Sequence, residues 1–210
     1  MKTKSLLLAT VAACTATSIA FGAVSSNIVG YTQLNLVAGN NLVANTLNAA
    51  NNGTQTLFAS APDGTVLFNW NGAGYDSQTL SFGSWDGAEV QLAPGKSIFV
   101  NVPSAASIYF VGEVVAKSSI TVTGGGKFNF VSSVLPIAGA LDTDLGYTPT
   151  EGDTFLAWDA TAQSFAPANQ FSFGSWSSGS PQIAIGQGFI INTDPSAANN
   201  VWSQTLPASN

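Results

Sequence analysis

Short runs of alternating apolar and polar residues, each ended by glycine, proline or asparagine, recur along most of the chain. Val66 to Trp70 is one run of strand-forming residues, and Asn71-Gly72 begins a turn directly after it. Residues 97–102 form a second run after a Pro94-Gly95 turn. Such spacing is typical of sandwiches and small barrels, with about six strands to each 90 residues. The pattern therefore predicts an all-β fold.

Two finer predictions follow from the same pattern. The runs 28–36 and 42–47 are separated by Gly39 and two asparagines, which predicts a β-hairpin. Segments 54–60 and 141–147 each have room for one helical turn, but neither has the apolar period or the length of a longer helix. Helix is therefore expected to be nearly absent.

The chain beyond residue 23 contains two copies of one sequence unit. LSFGSW at 80–85 returns as FSFGSW at 171–176, and Gly95–Asn101 matches Gly186–Asn192. In the same alignment Leu42-Val43 matches Phe130-Val131, Trp70 matches Trp158 and Tyr75 matches Phe165. The repeat predicts two pseudo-symmetric tandem units, 24–116 and 117–210, each a β-sandwich or small barrel, packed as a pair.

The first 23 residues are interpreted as a cleaved signal peptide. Lys2 and Lys4 precede an apolar run at 6–13, and small residues follow at 20–23. An alternative is a lipobox at 11–14, in which Cys14 would be lipidated. Both readings predict a secreted or cell-surface protein. No later stretch reaches the roughly 20 apolar residues of a membrane span.

The charged residues and the lack of histidine disfavour or exclude several classes of function for this chain. Charged residues make up 8% of the chain, against about 25% in a typical globular protein. Beyond residue 23 three lysines face eleven acids, a net charge near −8, which disfavours nucleic acid as a partner. The chain has no histidine, which excludes a Ser-His-Asp triad and histidine-bound zinc. We expect no cofactor.

Paired carboxylates are the enzymatic chemistry that remains without histidine. Asp63 and Glu151, however, precede glycine at matching turns, where an acid usually bonds the local backbone. We therefore predict no catalytic residues. Asp142, Asp144, Glu151 and Asp153 form an acidic loop, expected to be solvated, with calcium binding as the alternative.

Tryptophan carries the candidate binding chemistry. Trp70 and Trp158 lie within apolar runs and are predicted to be core residues. Trp85 and Trp176 follow Phe-Gly-Ser and are either core plugs or exposed platforms. Sugar rings stack on aromatic faces while amides and acids bind the hydroxyls. The candidate glycan-binding residues are Trp85, Trp176, Tyr75, Phe165, Asp76, Gln78, Asn169 and Gln170.

The leading functional prediction is a non-enzymatic extracellular structural or surface protein that acts by self-association or adhesion. Few lysines are available to block strand pairing at sheet edges, and 98–102 and 128–131 would be adhesive at an edge. The expected partners are the protein itself or other cell-surface components. The alternative is a carbohydrate-binding module that uses exposed aromatic residues and takes a polysaccharide.

Several short sequence motifs also resemble those of a known family. They are Asn27-Ile28-Val29-Gly30-Tyr31, Ala61-Pro62-Asp63-Gly64, Phe68-Asn69-Trp70-Asn71-Gly72 followed by Tyr75-Asp76, Pro94-Gly95 before Ile98-Phe99-Val100, and Phe110-Val111-Gly112-Glu113-Val114. The chain resembles a secreted paralogous family of Verrucomicrobia-type bacteria whose members carry two such units. The second unit departs from the pattern, with Ile185 in place of Pro94 and Gln187 in place of Lys96. The resemblance implies the two-unit β fold and an extracellular location, and it implies no activity.

Overall fold

The computed structural model describes residues 28–206. The predicted signal peptide at 1–23, with Cys14, lies outside the described residues. Within them the fold is all-β, as predicted, with one short helix. That helix falls in the first segment with room for a helical turn, whereas 141–147 contains turns and no helix.

The first half of the described chain contains seven strands and the helix. They are β1 (Val29–Leu36), β2 (Gly39–Ala44), α1 (Thr54–Leu57), β3 (Val66–Trp70), β4 (Tyr75–Ser81), β5 (Ser84–Trp85), β6 (Ser97–Val102) and β7 (Ala106–Glu113).

The second half contains eleven shorter strands. They are β8 (Lys117–Val122), β9 (Phe128–Val131), β10 (Gly139–Ala140), β11 (Thr154–Leu156), β12 (Trp158–Asp159), β13 (Ser164–Phe165), β14 (Asn169–Ser172), β15 (Ser175–Trp176), β16 (Gln182–Ile183), β17 (Phe189–Asn192) and β18 (Asn200–Thr205).

The same sheet plan occurs in both halves. The first has a five-stranded sheet in the order β2-β6-β3-β4-β5 and a ribbon of β1 with β7. The second has a five-stranded sheet in the order β9-β17-β11-β14-β15 and a ribbon of β8 with β18. All of these pairings are antiparallel. Each ribbon thus joins the first and last strands of its half.

The hairpin predicted across Gly39 is wrong. β1 pairs along its whole length with β7, and β2 pairs with β6. The chain leaves the ribbon after Leu36 and enters the five-stranded sheet at Gly39, so the turn between them changes layers. Of the two segments predicted to be adhesive at an edge, 98–102 lies in β6, which pairs with β2 on one side and β3 on the other. The segment 128–131 forms the terminal strand β9.

Each ribbon covers one face of its own five-stranded sheet. In the first half Leu34 and Phe110 of the ribbon pack against Val43 and Ile98 of the sheet. In the second half Val122 and Trp202 of the ribbon pack in one cluster with Val131, Phe155 and Phe189. Because side chains alternate along a strand, the neighbours of these residues point to the opposite sheet face.

The opposite faces of the two five-stranded sheets meet each other. Leu42 and Phe99 of the first half form one buried cluster with Phe130 and Ile190 of the second. β6 is therefore covered on both faces, which explains its nearly unbroken apolar run. The result is four layers, in the order ribbon, sheet, sheet, ribbon, with two unit cores and a third cluster at the junction.

Candidate functional site

Backbone hydrogen bonds join the two halves in matched pairs. The Ala44 amide donates to the Gly186 carbonyl at 2.9 Å, and the Ser132 amide donates to the Gly95 carbonyl at 3.0 Å. These bonds occupy equivalent places in the repeat. Isolated bridges accompany them, Val43 with Gln187 and Val131 with Lys96. The junction therefore fixes the two sheet faces at one spacing.

Aromatic rings fill most of the junction. Trp70 of the first half stacks on Phe130 of the second, with ring centroids 5.7 Å apart and planes inclined by 26°. Phe99 makes edge-to-face contacts with Trp158 at 5.2 Å and with Phe165 at 6.2 Å. The strands supply these rings from alternate positions, so each sheet presents a row of them to the other.

The space between the two sheets remains partly open, and we call it the junction cleft. Tyr75 is 48% exposed and Phe165 is 44% exposed, and both line two of its cavities. Burial raises the pKa of the Tyr75 hydroxyl above its usual value. These two residues are counterparts in the repeat and stand near the middle of the cleft.

One side of the cleft, here the amide side, is a cavity of about 430 Å³ lined by Asn40, Asn101, Phe68 and other junction aromatics. The Asn40 amide N–H donates to Gln163 Oε1 at 2.7 Å, and Gln163 Nε2 donates to the Asn40 carbonyl at 2.9 Å. Gln163 holds a positive φ of 51°, so its loop adopts a strained conformation to reach across. The second half thus closes over the first here.

On the opposite side, here the lysine side, no side-chain hydrogen bond joins the halves within residues 28–206. An apolar cavity of about 190 Å³ is lined there by Trp70, Phe128, Phe130 and four further junction residues. Adjoining cavities of about 500 and 390 Å³ share Trp70 and Phe128 and add Lys127 and Lys96. Two of the three lysines in 28–206 therefore border this side.

The two junction tryptophans differ in one hydrogen bond. Trp158 Nε1 donates to the Asn40 carbonyl at 2.8 Å. Its counterpart Trp70 Nε1 is buried and has no partner within the described residues. Both rings are partly buried against the junction cluster and lie outside the two unit cores in which they were expected.

Away from the junction, each half exposes one phenylalanine completely. Phe82 is 99% exposed and Phe173 is 100% exposed. Each is the first residue of a two-residue turn between paired strands. Ser81 pairs with Ser84 across one turn, and Ser172 pairs with Ser175 across the other. We call these the Phe turns.

The Phe turns have an unusual backbone. Phe82 and Gly83 have φ of 50° and 74°, and Phe173 and Gly174 have 52° and 73°. Positive φ at both central residues defines the type I′ turn, which favours Asn-Gly because a bulky side chain is strained there. The same unfavourable residue therefore occupies the same strained position twice.

An acid braces each Phe turn. Asp63 Oδ1 accepts a hydrogen bond from the Gly83 amide at 2.9 Å. Glu151 accepts from the Phe173 amide at 2.8 Å and from the Gly174 amide at 2.7 Å, one bond to each carboxylate oxygen. These are the acids that precede glycine at matching turns. Their bonds to the backbone stabilise the turns that carry the exposed rings.

The structure divides the predicted glycan-binding set. Tyr75 and Phe165 lie together in the junction cleft, with exposed Asp76 beside Tyr75 on β4. Trp176 is 5% exposed and packs against Phe155 and Phe171, and Trp85 is partly buried against the first core. The two indoles are therefore not open faces beside the cleft.

Two of the three predicted amide side chains form hydrogen bonds within the fold, and the third is exposed away from the cleft. Buried Gln78 accepts a hydrogen bond from Thr54 Oγ1 at 3.0 Å. Buried Asn169 donates to the Gly179 carbonyl at 2.8 Å and accepts from the Ser178 amide at 2.9 Å. Gln170 is exposed on β14. These three do not join Tyr75 and Phe165 in one cavity.

The acidic loop is organised by hydrogen bonds. Asp153 accepts from the Tyr147 hydroxyl at 3.0 Å and from the amides of Thr150 and Asp194. Burial, and then the nearby Asp153 charge, raise the pKa of Tyr147 well above its usual range. Asp142 accepts from Ser180 Oγ, and Asp144 from the Ala140 amide. No group of three metal-ligating acids or cysteines occurs within 28–206.

The Phe turns were missed by the sequence interpretation, although their signal was present. Phe82 and Phe173 stand in the most similar segment of the repeat, three residues before the tryptophans that were predicted as binding residues. A phenylalanine directly before glycine in a two-residue turn is the pattern that could have found them.

Across residues 28–206, no helix has the length and apolar character needed to cross a bilayer. No family model, curated protein or solved structure matches the chain. The geometry of the junction cleft and of the Phe turns is therefore the basis for the functional argument.

Proposed function

We propose that this is a non-enzymatic extracellular structural or surface protein that acts by self-association or adhesion, as a component of a coat, matrix or fibre. The observation that carries the proposal is the pair of fully exposed phenylalanines on matching, braced turns. Two adhesive points on one rigid body suit a protein that links several molecules.

The strained backbone and the full exposure of these two rings support a role in a contact with another molecule. A left-handed conformation costs an L-residue about 1–2 kcal/mol, and Phe82 and Phe173 both hold one. Neither ring has burial within the fold to offset that cost. Burying a phenylalanine in a partner stabilises a contact by about 1.5–3 kcal/mol, which exceeds the strain.

The first ribbon adds a second apolar surface. Tyr31, Tyr109 and Val111 stand exposed on its outer face. The ribbon of the second half carries Ser119 and Thr121 on β8 at exposed positions. Low surface charge leaves few repulsive groups to prevent close approach of copies.

Sedimentation velocity tests the proposal. We expect the weight-average sedimentation coefficient of the purified protein to rise with concentration up to about 1 mM, the weak end of specific association. Electron microscopy of the concentrated sample should show extended assemblies. A protein that remains monomeric throughout, with no assemblies on the grid, contradicts self-association.

A second candidate function is carbohydrate binding on the amide side of the junction cleft. It is favoured by one observation, the presence of Tyr75 and Phe165 in the same cavity as Asn40 and Asn101. Aromatic faces and amides are the groups that sugar rings and hydroxyls need. This candidate keeps two of the predicted aromatic residues and does not use the buried indole of Trp176.

Acrylamide quenching of tryptophan fluorescence tests the second candidate, because Trp158 lines the same cavity. A bound soluble polysaccharide should reduce quenching in the wild type. Tyr75→Ala or Phe165→Ala should weaken that protection, since a lost stacked ring costs on the order of 1 kcal/mol. Tyr109→Ala, an exposed aromatic residue on the ribbon, is the control and should leave it unchanged. Unchanged quenching with every polysaccharide contradicts the candidate.

A further inference from the structure

We propose that the Phe turn of one molecule inserts its ring into the lysine side of the junction cleft of another copy, so that molecules join head to tail. This inference rests on the proposed function of self-association and names the contact responsible. It brings together two features of the same chain, a fully exposed ring and an unfilled cavity lined by rings.

The cavity has the shape and chemistry for one aromatic ring. Its volume is about 190 Å³, and Trp70, Phe128 and Phe130 contribute aromatic walls. Trp70 contacts Phe128 edge to face at 6.4 Å and stacks on Phe130 at 5.7 Å. An incoming phenylalanine would extend this cluster with the edge-to-face geometry that such rings prefer.

Charge complementarity favours the Phe turn as the occupant. Asp63 and Glu151 sit at the base of the two Phe turns, and both carboxylates are exposed. Lys127 and Lys96 border the lysine side of the cleft, in a chain whose net charge is −6. Asp76 on β4 accepts a hydrogen bond at 3.0 Å from Asn71, which lines the two cavities beside these lysines. A ring carried on an acidic turn therefore meets an apolar cavity with a basic rim.

The geometry predicts a head-to-tail arrangement, either in rings or in open chains. The Phe turns and the cleft are different surfaces of one molecule, and complementary surfaces at different places generate rings or open filaments. A single buried ring contributes about 150–250 Å², well below the roughly 1,200 Å² of a stable interface. Each contact is therefore weak, and each molecule offers two Phe turns for the one lysine-side cavity of its neighbour.

The test uses two variants that should fold. Phe82→Asn with Phe173→Asn removes both rings and installs the residue that a type I′ turn favours. Lys96→Glu with Lys127→Glu reverses the charge of the cleft rim at exposed positions. Val201→Thr changes an exposed apolar side chain on the second ribbon, outside the surfaces proposed for association, and is the control. Circular dichroism and urea unfolding check the fold of each variant.

Sedimentation velocity then measures self-association. We expect the Asn double variant to weaken it by about tenfold or more, as the loss of a buried ring predicts. The Glu double variant should weaken it as well, added salt should weaken the wild type, and Val201→Thr should change nothing. Mixing the Asn variant with the Glu variant should restore small complexes, because each supplies the surface that the other lacks.

Three results would overturn the inference. Wild-type self-association that survives in the Asn variant would show that another surface is responsible, and the proposed function would still stand. A mixture of the two variants that stays monomeric would contradict the contact between a Phe turn and the cleft, because each of these two surfaces is intact in one of the variants. Protection of the lysine side by polygalacturonate, with self-association unchanged in the Glu variant, would identify an acidic glycan as the occupant. A monomeric wild type would instead contradict self-association itself, the part of the proposed function on which this inference rests.

Discussion

At the scale of single residues, the repeat offers matched pairs in which one contact differs. Trp70 and Trp158 occupy equivalent positions at the junction, yet only the indole N–H of Trp158 has a hydrogen-bond partner. A buried donor without a partner costs about 1–3 kcal/mol, whereas a satisfied bond contributes about 1 kcal/mol. A comparison of these two tryptophans therefore measures what one hydrogen bond contributes to the free energy of unfolding.

We expect Trp158→Phe to lower the free energy of unfolding more than Trp70→Phe, by about 1 kcal/mol. Both changes shrink the ring, but the first also deletes the bond to Asn40 and the second deletes an unpaired donor. Urea unfolding of both variants measures the difference. Equal losses would mean that the Trp158 bond contributes nothing net, and a larger loss in Trp70→Phe would reverse the argument.

Tyr147 makes stability depend on alkaline pH. Its pKa is raised in the folded state, so above the ordinary tyrosine value of about 10 the unfolded chain loses this proton first. The contribution of Tyr147 is complete below that pH and is lost as the pH rises further. We expect the urea midpoint to fall between about pH 9 and 11 in the wild type, and less steeply in Tyr147→Phe.

The control for this pH effect is Tyr109→Phe, because Tyr109 is exposed on the ribbon. It should retain the full alkaline decrease of the wild type. The slope against pH is the quantity to compare, since Tyr147→Phe also removes a hydrogen bond to Asp153 and lowers stability at every pH. Identical slopes in the wild type and in Tyr147→Phe would contradict the assignment.

At the scale of elements, the Phe turns show a conflict between local preference and sequence. A type I′ turn stabilises its hairpin when asparagine precedes glycine, yet phenylalanine holds that position in both halves. Both turns are nevertheless well formed, because Asp63 and Glu151 accept the backbone N–H groups at the tip. The brace compensates for an unfavourable residue.

We expect Phe82→Asn and Phe173→Asn each to raise the free energy of unfolding, by up to about 1 kcal/mol, through relief of strain at positive φ. Thermal and urea unfolding of the single variants measure the gain. Phe82→Ala is the control, since it removes the ring without supplying asparagine and should gain less. A loss of stability in the Asn variants would show that the ring supports the fold after all.

Much of the element pattern was predictable from sequence. β3 and β6 were correctly expected, because strand-forming residues run unbroken between turn signals. The hairpin expected between β1 and β2 was wrong, because Gly39 permits a turn but does not determine which strand pairs with which. That choice depends on burial of Leu34 and Leu36 against the sheet, a contact between layers that local pattern does not encode.

At the scale of the whole molecule, two glycines let the halves approach each other. Gly95 has φ of 88°, and a Cβ there would lie 2.4 Å from a Val134 side-chain carbon and 2.7 Å from one of Ile120. Gly186 has φ of 77°, and its Cβ would lie 2.7 Å from a Leu34 side-chain carbon. Each glycine therefore faces the opposite half at a place where no side chain fits.

Gly95→Ala and Gly186→Ala should each destabilise the protein more than Gly72→Ala does. Gly72 also has a positive φ, 98°, but its Cβ would meet nothing within 4 Å, so that variant carries the backbone strain alone. We expect the junction variants to lose a further 1–3 kcal/mol or so from overpacking. Equilibrium urea unfolding provides the comparison, and equal losses in the three variants would contradict a tight junction.

The candidate site was only partly predictable for the same physical reason. Tyr75 and Phe165 could be named from the repeat, because matching aromatic residues stand out in a linear comparison. Their meeting across the cleft, and the reach of Gln163 to Asn40, join residues far apart in the chain. Such contacts follow from how two sheets face each other, which the alternation of single strands does not determine.

The matched bonds at the junction have a consequence for how such a chain arises. The Ala44–Gly186 and Ser132–Gly95 bonds exchange the same two surfaces in opposite directions, which is the signature of an isologous interface. A chain with a single unit would carry both surfaces, and two copies would close on each other as a symmetric homodimer. Fusing the copies into one chain leaves each free to diverge, and Gln163 on one side of the cleft and Lys127 on the other are the marks of that freedom.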